Sequence, residues 1–151
     1  MEEKKEYHGR YLGVDYGDKR TGLAVSDRDG LLAGGLRQIS PGGMRHTARA
    51  VAEEAERQGV VRIVIGLPRN MDGSEGFRAL AVRAFADLLR AETPIPLDFA
   101  DERLSTVEAH GFLDRTGTRG KKRKQVVDTL SAEIILQDYL DAERAAQNSA
   151  K

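Results

Sequence analysis

The apolar positions of this chain keep two different periods. Tyr11–Tyr16 and Thr21–Ser26 are short runs of strand length and composition, and Gly17-Asp18-Lys19-Arg20 between them has the turn chemistry of an antiparallel hairpin. After a second turn, Asp27–Gly30, the stretch Leu31–Ile39 is interrupted by Gly34-Gly35 and is expected to return as a third antiparallel strand, short or bulged. Beyond Ser40–Gly43 the period becomes helical: Ala48, Val51, Ala52 and Ala55 share a face of Met44–Gln58, and Gly59 stands where a left-handed cap is wanted. Val60–Gly66 is a nearly continuous β-branched run, the mark of a strand buried on both faces. A loop, Leu67–Glu75, follows it. The next helix is expected to carry the stripe Phe77, Leu80, Ala81, Ala84, Phe85 and Leu88, with Asp72 and Glu75 at capping-box spacing before it. Pro94 and Pro96 end that helix, and Ile95–Ala100 reads as a strand running into Asp101-Glu102-Arg103.

Ser105 and Glu108 repeat the capping-box spacing, which makes Glu108 a structural residue of a helix reaching about Leu113. A last helix is predicted from about Lys122 to Glu143. On it Asp128, Ala132, Ile135 and Tyr139 fall at i, i+4, i+7 and i+11, with Leu136 widening the face, whereas Glu133, Gln137 and Asp141 sit among polar neighbours. The order of elements predicts an α/β domain: a five-stranded mixed sheet, three antiparallel strands then two parallel ones, flanked by helices. Residues 10–143 would form that domain, with 1–9 a disordered N-terminal segment and 144–151 a disordered C-terminal tail.

Composition narrows the chemistry. The 24 basic and 24 acidic side chains cancel, so any nucleic-acid contact must come from local patches. With no Cys, disulfides and thiolate metal sites are excluded. No apolar run approaches membrane-spanning length, and Met1–His8 is too polar for a signal peptide. A cytoplasmic protein without a membrane partner is expected. One local patch stands out: Arg115–Lys124 has six basic residues, no acidic one and two glycines, in what reads as a loop.

Three carboxylate positions fall where such a sheet gathers ligands, at the carboxyl ends of its strands. Asp15 ends the first strand and Asp101-Glu102 the fifth, while Asp128 shares the apolar face of the last helix, where a surface helix would carry no charge. Strand alternation alone says only that Asp101 and Glu102 point opposite ways. Oxygen ligands without Cys, and three scattered histidines at 8, 46 and 110, suit Mg²⁺ or Mn²⁺ rather than Zn²⁺. Lys19, Arg20, Arg69, Arg103, Lys121, Lys122, Arg123 and Lys124 are candidates to hold a nucleic-acid backbone, a positioning role without base specificity.

Four ordered stretches, Leu12–Asp27, Val64–Glu75, Asp101–Ala109 and Asp128–Leu140, together resemble the YqgF/RuvX family of bacterial RNase H-like nucleases. The likeness spans about residues 10 to 141. It implies a pre-16S ribosomal RNA nuclease, a group also described as Holliday-junction resolvase homologues, with Asp15, Glu102 and Asp128 as both catalytic residues and metal ligands. It further implies a two-metal Mg²⁺ or Mn²⁺ site, with Asp15 bridging, that hydrolyses phosphodiesters of pre-rRNA or of branched DNA. Arg69 and Ser105 depart from common family residues, and the segment before the basic loop is short. A monomer or weak homodimer is expected. Actin-like ATPases and sugar kinases open on a similar Asp-x-Gly hairpin, but they need a second lobe that 151 residues cannot supply. A non-enzymatic RNA-binding factor in transcription or ribosome assembly stays open as an alternative.

Overall fold

The computed structural model of the chain describes residues 9–102 and 120–149, with backbone alone for 120–128 and 149. The elements in order are β1 (Arg10–Asp15), β2 (Thr21–Ser26), β3 (Ala33–Ile39), α1 (Met44–Gln58), β4 (Val60–Leu67), α2 (Phe77–Glu92), β5 (Leu97–Asp101) and α3 (Gly120–Ser149). The strands form one sheet in the order β3-β2-β1-β4-β5. β1 pairs antiparallel with β2, and β2 with β3, whereas β4 runs parallel to both β1 and β5. This is the expected mixed sheet. The expected bulge lies where Leu23 pairs Arg37 but Ala24 pairs Gly35, leaving Leu36 as the extra residue. The helix predicted to end at Glu143 continues through Ser149, and it begins at Gly120.

Alternation along the strands sorts side chains to two faces. Leu12, Val14, Leu23, Ile63, Ile65 and Leu67 point to one side and pack with Ala48, Val51 and Ala55 of α1 and with Val82, Phe85 and Leu89 of α2. Each large side chain buried there contributes roughly 1.5–3 kcal/mol of transfer free energy. The stripe predicted for α2 is wrong by rotation: its buried residues are Ala79, Val82, Phe85, Ala86 and Leu89, while Phe77 and Leu80 face solvent. Nor is there a capping box. The N-cap is Gly76 and makes no side-chain cap bond. Asp72 instead accepts from the Ser74 backbone N–H and hydroxyl, and Glu75 accepts two bonds from Arg83.

The opposite face is smaller. Tyr11, Ala24 and Val64 meet Ala132, Ile135, Leu136 and Leu140 of α3. Small residues let the helix lie close: a Cβ at Gly13 would stand 2.8 Å from Leu136 Cβ and 3.0 Å from the Ala132 carbonyl oxygen. Tyr139 anchors the same helix by donating to Asp98 Oδ2 at 2.7 Å and accepting from Arg62 at 2.8 Å. Glu133 and Gln137, expected among polar neighbours on a solvent face, reach the sheet edge instead. Gly35 N–H donates to Glu133 Oε1 at 3.0 Å and Ala33 N–H to Gln137 Oε1 at 2.8 Å, while the Gln137 amide donates to the Leu31 carbonyl at 2.9 Å.

Candidate active site

Asp15 is the last residue of β1 and pairs with Gly22 of β2. It follows Tyr11 and Gly13 at two-residue steps, so it lies on the face covered by α3. The turn behind it is fixed from both sides. Tyr16 is buried and stacks on Phe85 at a centroid distance of 4.4 Å, and a Cβ at Gly17 would come within 2.6 Å of the Arg20 carbonyl oxygen.

Glu102 arrives at the same rim from β5, one residue past its end. Its backbone N–H donates to the Leu67 carbonyl at 3.3 Å, which extends the parallel β4–β5 ladder past the Leu67–Asp101 pair. Asp98, Ala100 and Glu102 keep the two-residue step on the α3 face, and Asp101 turns to the other side, where it is exposed. The alternation that left Asp101 and Glu102 open is thereby resolved: Glu102 is 8% exposed and its carboxyl hydrogen-bonds Asp15. Gly66 makes this possible. A Cβ there would lie 2.6 Å from Ile135 Cδ1 and 3.0 Å from Glu102 Oε2, so the space that a side chain would fill is taken by the carboxyl itself.

Burial first, and then the negative charge of Asp15, push the Glu102 carboxyl from its ordinary value up to about 8; Arg78 opposes the shift, and the bond to Asp15 adds to it. At neutral pH the protonated Glu102 donates to the Asp15 carboxylate. Two oxygen-ligand carboxyl groups forced together at the cost of holding a proton form a site that a hard divalent cation would relieve by replacing that proton. The donor chemistry fits such an ion.

Position 128 lies in α3, one helical turn before the buried Ala132, and its side chain falls outside the described residues. Among the described residues no group of three carboxylate or histidine side chains converges as a metal cluster. Lys19 is exposed and Arg20 half-exposed in the β1–β2 turn beside Asp15. Arg69 is half-buried, 3.9 Å from Glu75. Arg103 lies outside the described residues, as do the helix expected at Ser105–Leu113 and the basic stretch up to residue 119. Lys121, Lys122, Arg123 and Lys124 lie in the backbone of α3, which starts at Gly120, two residues before the expected start, so the end of the basic stretch is helical rather than a loop. Sequence reasoning missed Arg78, the cation that acts on Glu102. Its signal was Gly76, which starts α2 two residues earlier, and the Asp72–Glu75 spacing masked it.

A family model described as RuvX, Holliday junction resolvase, matches residues 9–142. A relative from Moorella thermoacetica named "Putative pre-16S rRNA nuclease" is 45% identical over 139 residues, covering 92% of this chain and 98% of its own. One of the same name from Clostridioides difficile is 44% identical over 133 residues, covering 88% and 94%. Among solved structures, Thermus thermophilus RuvC in complex with a Holliday junction substrate aligns at a TM-score of 0.53 and 16% identity, over 91% of this chain and 96% of that one. A Fowlpox virus resolvase in complex with Holliday junction DNA aligns at 0.55 and 11% identity, over 88% and 97%. These two likenesses are likenesses of fold: the five-stranded mixed sheet flanked by helices is an RNase H-like fold.

Proposed function

Because the chain belongs to the RuvX family, whose match runs almost its whole length, we propose that it is a metal-dependent endonuclease that hydrolyses phosphodiester bonds of precursor 16S ribosomal RNA. The observation that carries this reading is the Asp15–Glu102 pair at the carboxyl end of the sheet, a half-buried carboxylate hydrogen-bonded to a buried one whose pKa burial and the Asp15 charge raise. Asp15 and Glu102 would hold Mg²⁺ or Mn²⁺, with Asp128 as a third ligand brought by α3. Held there, such an ion would supply Lewis-acid chemistry for activating water and stabilising the leaving oxygen.

The protein's own residues set the conditions. Glu102, whose carboxyl is raised, would have to give up its proton to hold the ion, so affinity for it would rise with pH. Arg78 keeps positive charge at the rim, where a phosphate arrives. Lys19, Arg20, Arg69, Arg103 and Lys121 to Lys124 bind the backbone on either side. Residues 10–143 act as the nuclease domain, in the cytoplasm, as a monomer or weak homodimer.

Branched DNA is a second substrate class, supported by the description of the matching family. Incubating purified protein with a precursor 16S transcript and with a four-way DNA junction, each with Mg²⁺, with Mn²⁺ and in excess EDTA, tests both. Cleavage of the transcript that stops in EDTA and in Asp15→Asn is expected. Undiminished cleavage in EDTA would refute the metal dependence, and inert protein with all substrates would favour a non-enzymatic RNA-binding factor.

A further inference from the structure

α2 exposes three large apolar side chains at its start and on the loop before it. Phe77 is 86% accessible, Met71 71% and Leu80 63%. Phe77 is the first residue of the helix, and Leu80 stands three positions on, on the same side. This group lies by the same rim of the sheet as the carboxylates: the loop that carries Met71 leaves β4 at Leu67, whose carbonyl accepts from the Glu102 N–H, and Arg78, next to Phe77, is close enough to act on the Glu102 carboxyl.

We propose that Phe77 is a stacking platform for an unpaired base of the nucleic acid whose phosphate enters beside Asp15 and Glu102. This rests on the nuclease reading and adds a substrate preference to it: a nucleotide free of Watson–Crick pairing next to the bond that is cut.

Charge and area decide the occupant. The first turn of α2 has no acidic residue, and Glu75 is paired with Arg83 by two bonds at 2.7 Å each, whereas Asp72, bonded by neutral Ser74 in this loop, keeps its charge. Arg69 and Arg78 outnumber that one carboxylate and leave the surroundings of the patch net positive, which suits a phosphate chain. A second copy packed on the same patch would bring Arg78 against Arg78 across a two-fold axis. Three side chains also fall short of the roughly 800 Å² per partner of a stable protein interface, whereas one base needs only a single aromatic face. Unpaired bases are the part of an RNA that aromatic side chains reach and stack upon.

The test uses a short single-stranded RNA carrying one 2-aminopurine, a fully paired duplex of the same sequence, and Ca²⁺ in place of Mg²⁺ to hold back cleavage. Phe77 is so exposed that its replacement leaves the core intact. Wild type should quench the 2-aminopurine, Phe77→Trp should retain the quench, and Phe77→Ala should abolish it. Affinity of the Ala variant for the single strand should fall about 5- to 150-fold, the range expected for removing one base–aromatic stack, with duplex affinity unchanged. Equal quench and affinity in wild type and Phe77→Ala overturn the platform. If wild type binds the duplex but not the single strand, the platform fails and the nuclease reading stands; if it binds neither, both fail. A Phe77→Ala effect confined to oligomeric state in sedimentation would mark the patch as an interface between copies and likewise overturn it.

Discussion

Replacing Glu102 with Gln keeps the shape of the buried side chain and its ability to donate to Asp15, but removes the need to ionise there. In the folded protein the Glu102 carboxyl titrates near 8 against an ordinary value of 4.5, so the native state keeps a proton that the unfolded chain gives up. The sign follows from linkage: Glu102 favours the native state fully below pH 4.5, and that contribution is lost as pH rises through about 8. At about 1.4 kcal/mol per unit, the loss across the window amounts to about 5 kcal/mol, and by pH 7 to about 3 kcal/mol. Against a total stability of roughly 5–15 kcal/mol this is large. Glu102→Gln should escape it. Urea unfolding in EDTA at pH 5, 7 and 9 should show a midpoint falling steeply with pH for wild type and much less for the variant, which is already the more stable protein at pH 7. Added Mg²⁺ should restore wild type at pH 9, because an ion that binds only the native state shifts the equilibrium, and should do little for the variant. Parallel pH dependences in EDTA would refute the account of the pair.

Three further outcomes follow from the same geometry. Gly66→Ala places a methyl 2.6 Å from Ile135 Cδ1 and 3.0 Å from Glu102 Oε2; a destabilisation of about 1–3 kcal/mol in thermal melts with loss of Mg²⁺-dependent cleavage is expected, and full activity would deny the close approach a role. Burial would raise the Glu54 carboxyl, but Gln58, Arg57 and Arg37 carry it below its ordinary value, so its contribution is present above pH 4.5 and lost as acid protonates it; because both arginines stay in reach of water, Glu54→Ala should cost only about 1–3 kcal/mol at pH 7 and flatten the acid limb of the stability curve. Changing Lys121, Lys122, Arg123 and Lys124 together to Ala should reduce the slope of log affinity against log salt by about 0.7–0.9 for each phosphate that is no longer neutralised, with turnover at saturating substrate surviving better; unchanged slopes would return these side chains to solvent.

What could be read from the chain beforehand depended on whether two physical signals agreed. The hairpin had both apolar runs and turn residues, and β1 and β2 lie where these place them. Met44–Gln58 had a single apolar stripe and a terminal glycine, and Gly59 indeed caps it at φ 64°. α2 offered two stripes, because its alanines serve either one; Phe77 and Leu80 made the wrong stripe look heavier, and only the packing against α1 and β4 selects Val82 and Leu89. The site divided in the same way. A carboxylate at the end of an apolar strand was conspicuous at Asp15. The choice between Asp101 and Glu102 needed the third dimension, because it depends on which face α3 covers and on the missing Cβ of Gly66. Glu133 and Gln137 looked like solvent residues because periodicity registers only a helix's apolar face, not a long polar side chain reaching past it to an open strand edge.

Those two side chains make α3 a guard as well as a roof. β3 is an outer strand, and its Ala33 and Gly35 N–H groups would otherwise be open to any passing strand. Because the same helix covers the glycines beneath Asp15 and Glu102, a fluctuation that lifts it would uncover the sheet edge and open the carboxylate pair in one event. Loss of function and exposure of an adhesive strand are thus tied to a single opening, so that a heat-damaged molecule becomes prone to aggregate at the moment it ceases to act.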